Sequence, residues 1–452
     1  MKRFFCLILI SAVIFAAFPA VNAGAVYNDY IEGGFYSDCY ILVCTDNDEI
    51  IFSNNINKQS KPASLTKIVT ASVILEEVPD LQQVVTVPQK CLDELANTGS
   101  STGGLMAGET YTVYNLLCCL LLESANEAAT TLADFLTGDD RDAFVDKMNS
   151  LAAKLGCDNT NFVNVHGLDN DDQYTTVSDV AKLLENAMTY SVFSEITSML
   201  SYDLPASNLQ KERTIRTTNY TLSSAYKDYY NKNIKGGKTG FTSGAGHCLA
   251  VSASNNGYNY IAVAMNAPKE DLDDDGYEEN GAFMDCRAML DWAFENLSLI
   301  SIADAAKVVA EVPVRFGKSA DFVTLCPSDS AFSLMPKGVD AGSLLVRVKE
   351  GTVPDHVTAP IKKGEYICDG EVLYAGDVIA EIELVASTEI KRSLLSFFGT
   401  LFVDMFSSAV FKLVVILIVV ALAVLIFLRR SGRLKSKKDT YDTVNYNDFF
   451  NK

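Results

Sequence analysis

Read for the spacing of its apolar positions, the chain starts its folded part with two short runs, residues 39–45 and 49–53, split by Asp46-Asn47-Asp48. Strands are expected there. Pro62 then introduces a helical pattern over residues 64–77, with Ile68, Val69, Ala71, Ile74 and Leu75 on its apolar side. Residues 111–122 are apolar on nearly every face, which predicts a helix buried all round. The pattern breaks near Glu123-Ser124 and resumes over 126–136. Helical spacing recurs over 144–155, over 177–188 with a cap at Ser178 or a neighbour, and over 282–296. Before that last helix, residues 247–253 and 258–266 read as strands joined by Asn255-Asn256-Gly257. Strands flanking a helical middle predict an α+β domain spanning 24–304.

The pattern changes near Ala305. Short alternating runs separated by Gly, Pro and Asp predict a small all-β domain over 305–387. Residues 388–408 read as an amphipathic helix suited to a membrane surface, and 409–428 are apolar except for Lys412. About 20 helical residues cross a bilayer, so 409–428 is expected to be a transmembrane helix. The basic tail 429–452 is then expected on the cytoplasmic side. At the other end, Lys2-Arg3, the apolar run 4–18 and Val21-Asn22-Ala23 predict a signal peptide over 1–23. The two ends agree on one topology, a single-pass cell-membrane protein with most of the chain outside.

Charge narrows the function. The net charge of −20 lies almost wholly outside the tail, which argues against nucleic-acid binding. Of eleven cysteines, Cys6 goes with the signal peptide, and Cys118-Cys119 sit adjacent inside an apolar run; buried free thiols are expected. With three histidines (His166, His247 and His356) and no C-x-x-C pair, no zinc spacing is present, and no cofactor is implied. Asp271, Asp273, Asp275 and Gly276 match part of a calcium loop, but Ala282 stands where its last ligand should be. A solvated acidic loop is the expectation.

Candidate chemistry lies in three motifs in order: Ser64-Leu65-Thr66-Lys67, Ser124-Ala125-Asn126 and Lys238-Thr239-Gly240. Each is weak alone; their order and their places on the predicted elements carry the reading. Ser64 starts a helix, where free N–H groups favour developing negative charge. Lys67, one turn on, can reach its hydroxyl and serve as base if burial and a neighbouring cation such as Lys238 depress its pKa. Ser124 can bond Lys67 and relay a proton to the leaving amine, and Asn126 can hold a substrate amide. Gly240 lets the strand approach closely. No histidine fits a Ser-His-Asp arrangement: His166 lies in a loop and His247 starts a strand.

The segment Pro62-Ala63-Ser64-Leu65-Thr66-Lys67 resembles the nucleophile motif of serine-type D-alanyl-D-alanine carboxypeptidases, the low-molecular-mass penicillin-binding proteins. The likeness extends through Thr102 to Met106, Gly108 to Val113, Ser124 to Ala128, Phe162 to Leu168 and Gly237 to Thr242, and covers roughly residues 28–386. It implies a β-lactamase/transpeptidase-like catalytic domain with an acyl-enzyme on Ser64. Lys67 is then the general base, Ser124 the proton shuttle and Lys238 the anchor for a terminal carboxylate. Thr239 and Asn126 bind substrate, and the Ser64 and Phe241 N–H groups form an oxyanion hole. The implied partners are peptidoglycan stem peptides, and β-lactams as covalent inhibitors. Ala125 replaces a usual glycine, Glu127 a usual aspartate, and Gln173 a common histidine. A D-alanyl endopeptidase shares these motifs. A class A β-lactamase shares two of them but normally lacks the β domain and anchor, and an idle wall-binding protein would not need them intact.

Overall fold

The computed structural model describes residues 31, 34–255, 257–270 and 278–431. The expected signal peptide, the residues 271–277 of the acidic stretch and nearly all of the basic tail lie outside them. Two compact units are formed: one runs to Ile300 and includes Phe332–Val339, and the other takes Ser301–Ala331 and the chain from Asp340.

In the first unit the chain runs β1 (Cys39–Cys44), β2 (Glu49–Asn54), α1 (Thr66–Glu77), β3 (Val84–Thr86), α2 (Gln89–Asp93), β4 (Thr110–Thr112), α3 (Val113–Leu122), α4 (Asn126–Thr137) and α5 (Arg141–Lys154). It continues through α6 (Val177–Met188), α7 (Ser191–Ser198), β5 (Ser201–Leu204), β6 (Arg213–Arg216), β7 (Ile234–Thr242), β8 (Gly246–Asn255) and β9 (Tyr258–Ala267). The two-residue strands β10 (Lys269–Glu270) and β11 (Glu279–Asn280) precede α8 (Gly281–Asn296). Five strands form the central antiparallel sheet in the order β2-β1-β9-β8-β7.

Alternation along those strands divides the interior. Cys39, Ile41, Cys248, Ala250, Ile261, Val263 and Met265 pack with α1, α3, α4 and α6 in one cluster. Their sequence neighbours Tyr40, Leu42, Leu249, Val251, Tyr260, Ala262 and Ala264 pack with Phe283, Cys286, Met289 and Leu290 of α8 in a second. The sheet is thus covered on both faces, which is why its inner strands read as near-continuous apolar runs rather than as alternation. Helix α1 is central, with every residue from Thr66 to Ile74 buried. Its polar members are satisfied internally: the Thr70 hydroxyl donates to the Val165 carbonyl at 2.6 Å and Ser72 to the Ile68 carbonyl at 2.8 Å.

Several expected boundaries shift. Residues 110–112 pair with β3 as a strand, so the helix expected over 111–122 begins at Val113, where the Thr112 hydroxyl caps α3 by accepting from the Asn115 N–H. The cap of α6 is Thr176, not Ser178. Ser64 lies on a 3-10 turn, Ala63–Leu65, ahead of α1. All ten described cysteines are free thiols, and only Cys326 is less than fully buried.

The remaining strands are β12 (Leu297–Ala303), which straddles the boundary, β13 (Ala310–Arg315), β14 (Phe322–Pro327), β15 (Ala331–Pro336), which from Phe332 belongs to the first unit, β16 (Leu344–Val348), β17 (Val357–Thr358), β18 (Tyr366–Tyr374) and β19 (Asp377–Ala386), of which β12 and β15 pair separately. The other six make one sheet in the order β16-β18-β19-β14-β13-β17. The expected helix from 388 begins only at Leu394, as α9 (Leu394–Ser407). Residues before it belong to the β fold, since Ile390 is buried and bridges Ile361, and Arg392 donates to the Ala359 carbonyl at 2.6 Å. Helix α10 (Ala409–Arg430) follows, 22 residues with none buried, long and apolar enough to cross a membrane.

Candidate active site

The three motifs meet at one open cleft of about 720 Å³. Ser64, Ser124, Asn126, Thr239, Gly240 and Phe241 line it, with the fully buried Lys67 and Lys238 behind. Every site residue expected from sequence is therefore in this one region.

Ser64 owes its position to a strained turn. Ala63 takes a left-handed φ of 46°, and Gly167, with φ 93°, passes so close that a Cβ there would strike the Ala63 carbonyl oxygen. From the other side β7 presses in: a Cβ on Gly240 would lie 3.1 Å from the Ala63 Cβ and 3.2 Å from the Ser64 nitrogen. Lys67 points back along the helix, as helical side chains do. Its Nζ is 2.9 Å from Ser64 Oγ and donates to the His166 carbonyl at 2.7 Å. Burial, and after it the charge of Lys238, holds the Lys67 ammonium well below its usual pKa, against an opposing pull from Glu127. Burial likewise lowers Lys238 to about 7. A neutral amine at Lys67 keeps one N–H on the His166 carbonyl and leaves its lone pair for the Ser64 proton.

The second motif sits on the α3–α4 connection. Ser124 adopts φ 59°, breaking α3 so that α4 starts at Asn126. The Ser124 Oγ and Asn126 Oδ1 atoms are buried with no hydrogen-bond partner among the described residues, which leaves both available to a ligand in the cleft. Glu127 explains how the approach loop is held. Its Oε1 accepts from the Thr102 hydroxyl at 2.6 Å and from the Gly103 and Leu105 N–H groups at 2.7 and 3.3 Å. The Asn126 N–H also donates to the Ser101 carbonyl at 3.0 Å. In the third motif, Lys238 Nζ donates to the Thr239 carbonyl at 3.0 Å, and the Thr239 and Thr218 hydroxyls lie 2.6 Å apart.

Sequence reasoning left out the groups behind the motifs. His166 also lines the cleft, and burial, followed by the charges of Lys67 and Arg141, lowers its pKa to about 3, so it stays neutral. What it contributes to Lys67 is a main-chain carbonyl, which carries no side-chain signature. The one available sign was Asn164 three residues before Gly167: its Oδ1 accepts from the Gly167 N–H at 2.7 Å and fixes the turn.

Residues 31–269 match the family model for D-alanyl-D-alanine carboxypeptidase, and 298–392 match the C-terminal domain of penicillin-binding protein 5. The chain belongs to the D-alanyl-D-alanine carboxypeptidase family. It is 28% identical to D-alanyl-D-alanine carboxypeptidase DacF of Bacillus subtilis over 395 residues, covering 87% of this chain and 96% of that one. The Escherichia coli D-alanyl-D-alanine endopeptidase is 30% identical over 263 residues, covering 58% of this chain and 81% of its own. Penicillin-binding protein 5 of Haemophilus influenzae shares the fold, with a TM-score of 0.64 and 24% identity over 80% of this chain and 99% of that one. The carboxypeptidase family thus accounts for both the helical-plus-sheet unit that carries the serine and the β unit after it.

Proposed function

We propose that this carboxypeptidase-family chain removes the terminal D-alanine of peptidoglycan pentapeptide stems through an ester on Ser64. The observation that carries the reading is the 2.9 Å contact between Ser64 Oγ and a buried lysine amine held well below its usual pKa. Lys67 takes the Ser64 proton as the oxygen attacks the carbonyl carbon. The Ser64 and Phe241 N–H groups receive the developing oxyanion; one such donor supports ~2.7–4 kcal/mol of transition-state stabilisation. Ser124 passes the proton to the leaving amine while Asn126 holds the substrate amide, and Lys238 and Thr239 hold the terminal carboxylate. Water then cleaves the ester. β-Lactams acylate the same serine but leave no departing amine.

The reading extends to location. A signal peptide over 1–23 and a single span at α10, with Arg429 and Arg430 on the cytoplasmic side, put the cleft outside the cell where stem peptides are, and a role in cell-shape maintenance follows from trimming them. Labelling with a fluorescent penicillin, followed by peptide mass mapping, tests the chemistry. The label is expected on the peptide containing Ser64 and is lost in Ser64→Ala. An intact chain that takes no label would sink the acyl-enzyme reading.

A further inference from the structure

The two oxyanion donors of the acyl-enzyme reading come from segments far apart in the chain. Ser64 lies on the 3-10 turn before α1, and Phe241 lies near the end of β7. Strand β7 is an edge of the central sheet, paired with β8 on one side only. Gly240 packs against the Ser64 nitrogen, which sets how close the two segments come. Glycine offers no side chain to interlock, so that contact alone sets no sideways register.

One short stretch, Gly167 to Asp169, touches both segments. At its start Gly167 lies against the Ala63 carbonyl, one residue before Ser64. At its end Asp169 reaches Thr242, one residue after Phe241. The Thr242 hydroxyl donates to Asp169 Oδ1 at 2.6 Å, and the Gly244 N–H donates to Oδ2 at 3.1 Å. The Thr242 oxygen accepts in turn from the Ala245 N–H at 3.0 Å, which closes the β7–β8 turn. A Cβ on Gly244 would lie 2.7 Å from Asp169 Oδ2, so only glycine lets the carboxylate sit this close to the turn. The stretch itself is stiff. Asn164 accepts from the Gly167 N–H at 2.7 Å and donates to the Leu168 carbonyl at 3.0 Å. The Leu168 N–H donates to His166 Nδ1 at 3.2 Å.

We propose that Asp169 is a positioning residue for the oxyanion hole: with Gly167 it forms a brace that fixes the Phe241 N–H relative to the Ser64 N–H. The proposal rests on the acyl-enzyme reading, which names those two donors. Such donors work at about 2.7–3.1 Å from the place the oxyanion will occupy. A drift of the β7 end along the cleft therefore weakens one donor while the other stays in place. The loss belongs to the transition state, because the carbonyl oxygen gains its charge only as the Ser64 Oγ–C bond forms. Asp169 also lines the cleft, which makes direct contact with the ligand the competing role. Both of its oxygens are engaged by the turn, and that favours the brace.

The test follows acylation by a fluorescent penicillin on the detergent-solubilised full chain, separating the first-order constant from the binding constant. Asp169→Ala, Thr242→Val and the double variant are compared with the wild type. Each single variant is expected to lower the first-order constant at least about fivefold, short of the hundredfold of a whole lost donor, with the binding constant within about twofold. The two side chains act through one bond, so the double variant should lose no more than the larger single loss. Thr242→Ser keeps the hydroxyl and should retain the wild-type rate. An alkylboronic acid, which sets a tetrahedral oxygen in the hole with no leaving group, should lose affinity in step with the first-order constant. Losses that multiply in the double variant, or weaker binding at an unchanged first-order constant, would show that Asp169 meets the ligand itself and overturn the brace. Unchanged boronate affinity, or an Asp169→Ala chain that melts earlier yet acylates as fast as the wild type, would overturn it too. A wild type that penicillin does not label fails at the earlier step, and the two failures are distinct.

Discussion

The interiors of the two units differ in kind. In the first, Lys67 and Lys238 are fully buried, and Glu127, Asp134, Asp179 and Asp285 are buried beside apolar neighbours. In the second, no polar or charged side chain is buried among the described residues; its core is Val312, Val323, Leu325, Ile361, Leu384 and similar groups. Its ion pairs, Arg347 with Glu371 and Lys349 with Glu381, lie on the surface. An apolar core needs only shape and volume, whereas a buried charge must be satisfied or neutralised. The first unit keeps two buried lysines at odds with their surroundings, and they stand at the proposed acyl-enzyme site.

The largest effect expected from breaking this contrast is at Lys238. Its pKa falls from 10.5 to about 7 on folding, a gap on the order of 5 kcal/mol. Between those values the unfolded chain holds a proton that the folded one does not, so stability rises with pH across that window. Below about 7 both states are charged and the cost is felt in full. Lys238→Met should therefore raise the melting temperature most at pH 6 and least near pH 10, while KM for the pentapeptide rises. A variant equally stabilised at both pH values would break the account.

In the β unit the corresponding probe is a cavity. Leu384, fully buried on β19 opposite Cys368, has no polar partner to lose. Leu384→Ala should cost about 2–5 kcal/mol. Limited proteolysis should then cut within residues 301–392 first, with the rate of penicillin labelling unaltered. Labelling that falls in step with proteolysis would show that the two units do not separate in this way.

The same contrast governs what could be read from sequence. Long periodic segments were legible: α4 to α6, α8, and the β8–β9 hairpin fall within a few residues of their expected limits, because their burial follows from local spacing. The three motifs were legible because they are side chains. What escaped depends on contacts between distant segments. Thr110–Thr112 is a strand only because Val84–Thr86 lies beside it. Ile390 is held in the β fold by Ile361, 29 residues earlier, and not by its helical pattern. The His166 carbonyl could not be found from residue identity at all. Gln173 appeared only as a departure from a familiar pattern, and its role comes from four hydrogen bonds to groups on both sides of the nucleophile turn.

Gln173 gives the smallest and most selective test. It is buried; its Oε1 accepts from the Val163 and Asn164 N–H groups, both at 3.0 Å. Its Nε2 donates to Thr66 Oγ1 at 3.4 Å and to Asn164 Oδ1 at 3.3 Å. Asn164 in turn accepts from the His166 and Gly167 N–H groups, and the His166 carbonyl accepts a hydrogen bond from Lys67. Gln173 does not line the cleft, and we propose it as a positioning residue that sets the carbonyl against which the Lys67 amine is oriented. Gln173→Ala leaves two main-chain N–H groups without their acceptor, worth about 1–3 kcal/mol. Penicillin acylation should slow about tenfold through its first-order constant, with the binding constant little changed. Gln173→Glu keeps the acceptor oxygen and should recover part of the rate. If Gln173→Ala melts earlier but acylates Ser64 as fast as the wild type, the residue holds only its loop, and the orientation of Lys67 is set by α1 alone.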